Sequence, residues 1–202
     1  PLKFVQFVKD LSIGEKSGKK IGKMSSIVVK DVAQTNSLVW FRNDLRVDDH
    51  TGLKSAIENS DKVIGIYCFN PKLYVENKLG FKKIDNFRAK FLIQTVENLK
   101  KNLKKINILL IIKIGDPVEE LTKIALDNKI NNIYFQKEWT KEEKDEENSL
   151  KIECKNVKYH SSYDQFLYHP EDVDNEFISD VFTNFRKYCE KNVGVRNLAE
   201  NK

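Results

Sequence analysis

Unbroken apolar runs, spaced by stretches long enough to hold a helix, are what most restricts how this chain can fold. SLVWF (37–41), KVIGIYCF (62–69), ILLIIKI (108–114) and INNIYF (130–135) are apolar along most of their length, without the alternation of a half-exposed strand. A strand of that kind is buried on both faces, as in a parallel sheet with helices packed above and below. The stretches between the runs read as helices. In DNFRAKFLIQTVENLKKNLKKI (85–106), Leu92, Val96, Leu99, Leu103 and Ile106 recur at spacings of four, three, four and three. They form one apolar face with lysines opposite. In GDPVEELTKIALDNK (115–129), Asp116 is placed to cap the helix and Pro117 suits its first turn. HTGLKSAIENS (50–60) and the charged TKEEKDEENSLKIEC (140–154) complete the helices, and NVKYH (156–160) reads as a fifth strand. Parallel strands joined through helices cross over right-handedly. The predicted fold class is therefore α/β: a doubly wound, Rossmann-like five-stranded parallel sheet with helices on both faces, over residues 37–160.

A hydrophobic content of 40% is enough for such a core. The flanks are different text. Residues 1–36, with GEKSGKKIGKMSS (14–26) at their centre, read as a flexible basic leader. The leader shares lysines and serines with an organelle-targeting segment, but it has no arginine and carries Asp10, Glu15 and Asp31. Residues 161–202 hold no further strand–helix unit; they read as a linker that packs on something, with a short helix around 182–191. The chain begins at Pro1 and ends at Lys202, and reads as a piece of a longer protein. Its balance of 35 basic against 30 acidic residues, +5 overall, is mild and carried by lysine. A phosphate-binding face would be richer in arginine. Cys68, Cys154 and Cys189 form no CxxC pair, so neither a zinc site nor a disulfide framework is indicated, and a reducing compartment is the default. No apolar run approaches the roughly 20 residues needed to cross a bilayer. Cytoplasm, nucleus and organelle all stay open.

Ligands of open α/β sheets lie at the carboxyl ends of the strands, near the switch in strand order. The first strand runs straight into Arg42-Asn43-Asp44-Leu45-Arg46, followed by Asp48 and Asp49. No GxGxxG and no GxxxxGK[ST] occurs, so the usual backbone cradle for a pyrophosphate is missing. For a generic α/β domain, Asp44 and Arg46 would pair with each other or with neighbours to fix the turn. The fourth strand exits into FQKEWTKEE (135–143), which sets Gln136, Lys137 and Glu138 at a ligand position with Trp139 as a flat surface. A carboxylate there can accept paired N–H donors from a planar heterocycle. The competing reading is a solvated helix start, capped by Thr140 with Glu142 and Glu143 at its positive end. His50, His160 and His169 lack metal-ligand spacing, and no nucleophile–base pair is visible.

LVWFRNDLRVDDH (38–50) resembles the opening strand and loop of the photolyase/cryptochrome family. FRAKFLIQTVENLKKNL (87–103) is similar to the family's long helix with its R-x-x-F-L pattern, and GDPVEELTKIA (115–125) to the G-x-P segment that follows. IYFQKEWTKEEKDEE (133–147), FLYHPEDV (166–173) and VFTNFRKYCE (181–190) resemble, in order, the fourth strand with its acidic helix and the linker of DASH-type cryptochromes. The resemblance spans about residues 37–191. It implies an antenna-binding α/β domain that docks on a helical domain holding FAD, with 5,10-methenyltetrahydrofolate in the cleft between them. By position, Glu138 matches the family carboxylate that hydrogen-bonds the pterin ring, with Gln136 and Lys137 beside it. Arg42, Asn43, Asp44 and Arg46 fill the first-strand signature, where cleft and turn structure come before direct contact.

The resemblance further implies blue-light repair of cyclobutane pyrimidine dimers, mainly in single-stranded DNA, where flipping out the lesion costs less. FAD, the electron-transfer tryptophans and the DNA face would belong to a helical region that this chain does not contain. This chain alone is not expected to catalyse. A signalling cryptochrome, and a stand-alone pterin- or nucleotide-binding module, are the alternative readings. Neither membrane nor metal is expected as a partner.

Overall fold

A computed structural model describes residues 34–200. The leader, with the targeting reading attached to it, lies outside the described residues. Five strands, β1 (Asn36–Phe41), β2 (Lys62–Phe69), β3 (Leu109–Ile114), β4 (Asn132–Gln136) and β5 (Lys158–Ser162), form one sheet in the order β3-β2-β1-β4-β5. All four pairings are parallel, with Val39 level with Gly65 on one side and with Tyr134 on the other. The expected α/β class is what the structure has. The chain builds outward from β1 to β3, then returns to β1's other side for β4. That reversal puts the switch point between β1 and β4.

The helices are α1 (Thr51–Glu58), α2 (Asn86–Lys105), α3 (Pro117–Asp127), α4 (Lys141–Glu153) and α5 (Phe182–Asn192). β1 shows why its run is apolar throughout. Val39 and Phe41 enter a core with Leu53, Val96, Leu99 and Leu103 from α1 and α2. Leu38 and Trp40 enter a second core with Val118, Leu121, Ile124 and Leu150 from α3 and α4. Every second residue faces the same side of a strand, so a strand covered twice needs apolar residues at both parities.

Capping follows the sequence closely. The Asp116 carboxylate accepts from the Val118 amide at 3.1 Å, with Pro117 opening α3. Thr140 and Glu143 form a reciprocal capping box at the start of α4. One expectation needs correction. Ile106, expected on the buried face of the long helix, is 40% exposed and lies past the last helical residue. Asn107 turns left-handed (φ 59°), and the amide of Ile108 donates to the Leu103 carbonyl at 2.9 Å. This is a Schellman stop, and it sends Ile108, not Ile106, into the core. β5 is an edge strand, with Lys158 and His160 exposed where they blunt further pairing.

Candidate functional site at the carboxyl edge of the sheet

The charged loop after β1 is held mostly by its own surroundings. The Arg42 amide donates to Asp44 Oδ1 at 2.8 Å, and Asp44 Oδ2 faces His50 Nε2 at the same distance. Both side chains are fully buried. His50 is also the cap of α1: its Nδ1 accepts from the Leu53 amide at 3.0 Å, which leaves the proton on Nε2, the ring atom nearest Asp44. Burial pushes Asp44 upward, but the His50 imidazole and the Arg42 amide outweigh it and hold the carboxyl below its ordinary value.

Arg42 turns to the opposite side. Its guanidinium lies 4.4 Å over the Trp40 ring, donates to Glu147 Oε1 at 2.6 Å and to the Glu143 carbonyl at 3.2 Å. Glu147, on α4, is as buried as Arg42. Its neighbour Glu146, 3.8 Å from the guanidinium, also accepts from Asn70. Burial raises the Glu146 carboxyl in spite of Arg42.

Glu138 sits at the switch point, 6% exposed. Its Oε1 accepts from Asn43 Nδ2 at 2.9 Å and from Gln136 Nε2 at 3.4 Å, and its Oε2 from Gln165 Nε2 at 3.3 Å. Desolvation raises its pKa; the Asn43 amide opposes without cancelling the shift. Gln136, 2% exposed, leaves its Oε1 without a hydrogen-bond partner. The Lys137 ammonium lies 5.0 Å over the Tyr163 ring. Trp139 contacts Tyr163 and Phe166 at ring distances of 5.4 and 5.5 Å.

Of the six residues singled out from sequence, Asn43, Gln136 and Glu138 thus meet in one cluster, in which Gln136 and Glu138 are buried and Asn43 is exposed. Lys137 flanks it, while Arg42 and Asp44 face away into supporting contacts. Sequence reasoning missed His50, Glu147 and Gln165. Glu147 did leave a trace: it precedes Leu150 and Cys154 by three and seven positions, a carboxylate on the apolar stripe of a charged helix. Nothing local marks Gln165, which arrives from the segment after β5. A cavity of about 530 Å³ opens at the exits of β1 and β2, lined by Arg42, Asn43, Asn70, Arg88, Leu92 and Glu146 among others. Among the described residues no cluster of His, Cys, Asp and Glu could hold a metal ion.

A doubly wound parallel sheet with a buried carboxylate at its switch point, and no glycine-rich phosphate loop, is the α/β class that the fold and this cluster define. The sequence pattern of the DNA photolyase family matches residues 37–200. The chain belongs to that family. It is 35% identical over 162 residues to a cryptochrome DASH of Gloeobacter violaceus, covering 78% of this chain and 32% of that protein. It is 36% identical over 159 residues to a blue-light photoreceptor of Arabidopsis thaliana, covering 77% and 35%. The cryptochrome structure of a Synechocystis species superposes with a TM-score of 0.78 at 32% identity, over 83% of this chain and 36% of that one. The photolyase of Sulfolobus tokodaii, crystallised with two FAD molecules, shares the fold (TM-score 0.67, 23% identity, 80% and 36% covered). The chain spans about a third of the length of these relatives.

Proposed function

We propose that this chain is the antenna-binding α/β domain of a DASH-type cryptochrome or DNA photolyase. In this reading a pterin, 5,10-methenyltetrahydrofolate, lies against the Glu138 face in a cleft closed by a helical FAD domain. The observation that carries it is the pairing of acceptors at the switch point. Gln165 Nε2 donates at once to Glu138 Oε2 and to the Lys137 carbonyl, and Gln136 Oε1 beside them is unpartnered. An amide NH2 there stands where the amino group of an aminopyrimidine ring would donate. Trp139, 43% exposed, offers a face for stacking. Glu138, Gln136 and Lys137 would hold the ring, and Asn43 would orient the carboxylate. Arg42 and Asp44 would support the loop. The bound pterin would supply light absorption and pass the energy on.

The cavity at the β1 and β2 exits fits a phosphate-bearing cofactor less well. Arg42 there is already paired with Glu147 and Lys83 with Glu142, and Glu146 stands on the wall. Repair of cyclobutane pyrimidine dimers, with its FAD and DNA contacts, would reside in the helical domain. The relative named as a blue-light photoreceptor supports a second reading, light signalling without repair. A dimer-splitting assay on a protein carrying both domains separates the two.

The antenna reading is tested by titrating 5,10-methenyltetrahydrofolate into a protein with both domains and following its fluorescence. Glu138→Ala should weaken binding at least about tenfold, the loss of one hydrogen bond to a charged acceptor. Equal affinity of the variant and the parent would overturn the assignment.

A further inference from the structure

The linker after β5 buries almost nothing. Between residues 164 and 200, only Cys189 and Val193 are buried. Beside ring contacts such as that of Trp139 with Phe166, polar attachments hold this segment. Those attachments converge. At the linker's start, the Asp164 carbonyl accepts from Arg46 Nη2 at 3.0 Å, and its carboxylate accepts from the Thr51 amide at 3.0 Å. Near its end, the Ala199 amide donates to Asp49 Oδ1 at 2.9 Å. Between them, Arg196 grips Asp172 through Nε and Nη2 at 2.6 and 2.7 Å. The two ends of this long excursion are thus held by the same short stretch, Arg46 to Thr51.

Asp49 is the centre of that stretch. Its backbone is left-handed (φ 49°), unusual for a residue with a side chain. The same residue turns its carbonyl to Arg46, which donates from Nε at 3.1 Å and from Nη2 at 3.0 Å, and its carboxylate to Ala199. Backbone strain that coincides with a convergence of contacts is where a positioning role belongs.

We infer that Arg46 and Asp49 form a latch that fixes where the chain leaves this domain. The second half of the first-strand signature then acts on the linker and not on a ligand. Arg46 and Asp49 are positioning residues: they hold both feet of the linker loop over the carboxyl edge of the sheet. The consequence, that the latch sets the seat of a following domain, rests on the function proposed above; the latch itself needs no cofactor and no partner.

The test is hydrogen exchange of backbone amides in the full 202-residue chain, with two substitutions at one position. Asp49→Gly accepts the left-handed backbone but removes the carboxylate, so the Ala199 amide and its neighbours should exchange at least about tenfold faster. Asp49→Asn keeps an acceptor oxygen and also tolerates positive φ, so it should restore parental protection. Arg46→Ala should release both feet, residues 163–166 and 196–200. Amides of β1 and β2 should keep their rates in all three. Unchanged linker exchange in Asp49→Gly would overturn the latch. So would equal loosening of linker and sheet, which would mark Asp49 as a stability residue only. Failure of folate binding would sink the antenna reading while leaving this result intact.

Discussion

Asp44 and His50 illustrate how a charged loop can serve a buried strand exit. The carboxylate and the imidazole lie 2.8 Å apart in a site with no water-exposed surface, and each bonds backbone: Asp44 the Arg42 amide, His50 the Leu53 amide. Asp44→Asn should cost about 1–3 kcal/mol at neutral pH, because one of the two donors facing it then meets an NH2 group. The pH dependence has a definite sign. Asp44 is depressed in the folded state, so its stabilisation is complete above the unfolded Asp value and is lost as pH falls through the lower folded value. Denaturant midpoints of parent and variant, compared across pH, should therefore converge only in strong acid. A gap independent of pH would show that the charge on Asp44 does not matter.

Two element-scale features depend on single residues. In β2, a Cβ at Gly65 would lie 3.0 Å from the Phe41 ring and 3.1 Å from Leu110, both of them buried. Gly65→Ala should destabilise by about 1–3 kcal/mol through overpacking, measurable as a lowered denaturation midpoint with an unchanged denaturant slope. The end of α3 makes the opposite case. Lys129 is left-handed (φ 50°), and the Ile130 amide closes the stop on the Ala125 carbonyl at 2.9 Å. Where α2 uses Asn107 for the same turn, α3 uses a lysine, for which that conformation is strained. Lys129→Gly should stabilise by about 0.5–1 kcal/mol, and a calorimetric melting temperature that falls instead would refute the strain.

At the scale of the whole molecule, the segment after β5 leaves apolar surface uncovered. Trp139, Phe166, Leu167, Ile178, Phe182 and Phe185 line an open groove of about 600 Å³, with Leu167 67% and Phe182 71% exposed. Patches of this kind mark a contact surface. The isolated chain should bind a hydrophobic dye and associate as concentration rises. Leu167→Ser with Phe182→Ser should reduce the dye signal at least about twofold and leave the unfolding midpoint within about 0.5 kcal/mol, since neither side chain is buried. A monodisperse chain that does not light up the dye would count against a docking surface.

Much of this was legible along the chain. The apolar runs gave the strands, because a parallel sheet covered on both faces needs apolar residues at both parities. Asp116, Pro117, Thr140 and Glu143 marked their helix starts, because capping is settled within four residues. Ile106 misled, because the spacing of apolar residues does not record where the backbone leaves the helix. The site divided along the same line. Glu138 and Gln136 stood out beside Trp139 at a strand exit, and the family motifs ran in order through residues 37–191. The pairings did not stand out: Asn43 reaches Glu138 across 95 positions, Glu147 reaches Arg42 across 105, and Asp164 reaches Arg46 across 118. The sequence by itself determined the sheet, its helices and the residue types at the strand exits, since those follow from local periodicity and capping. Only the tertiary structure decided which charges neutralise each other and what the linker holds, because a hydrogen bond between distant residues depends on where the fold brings them.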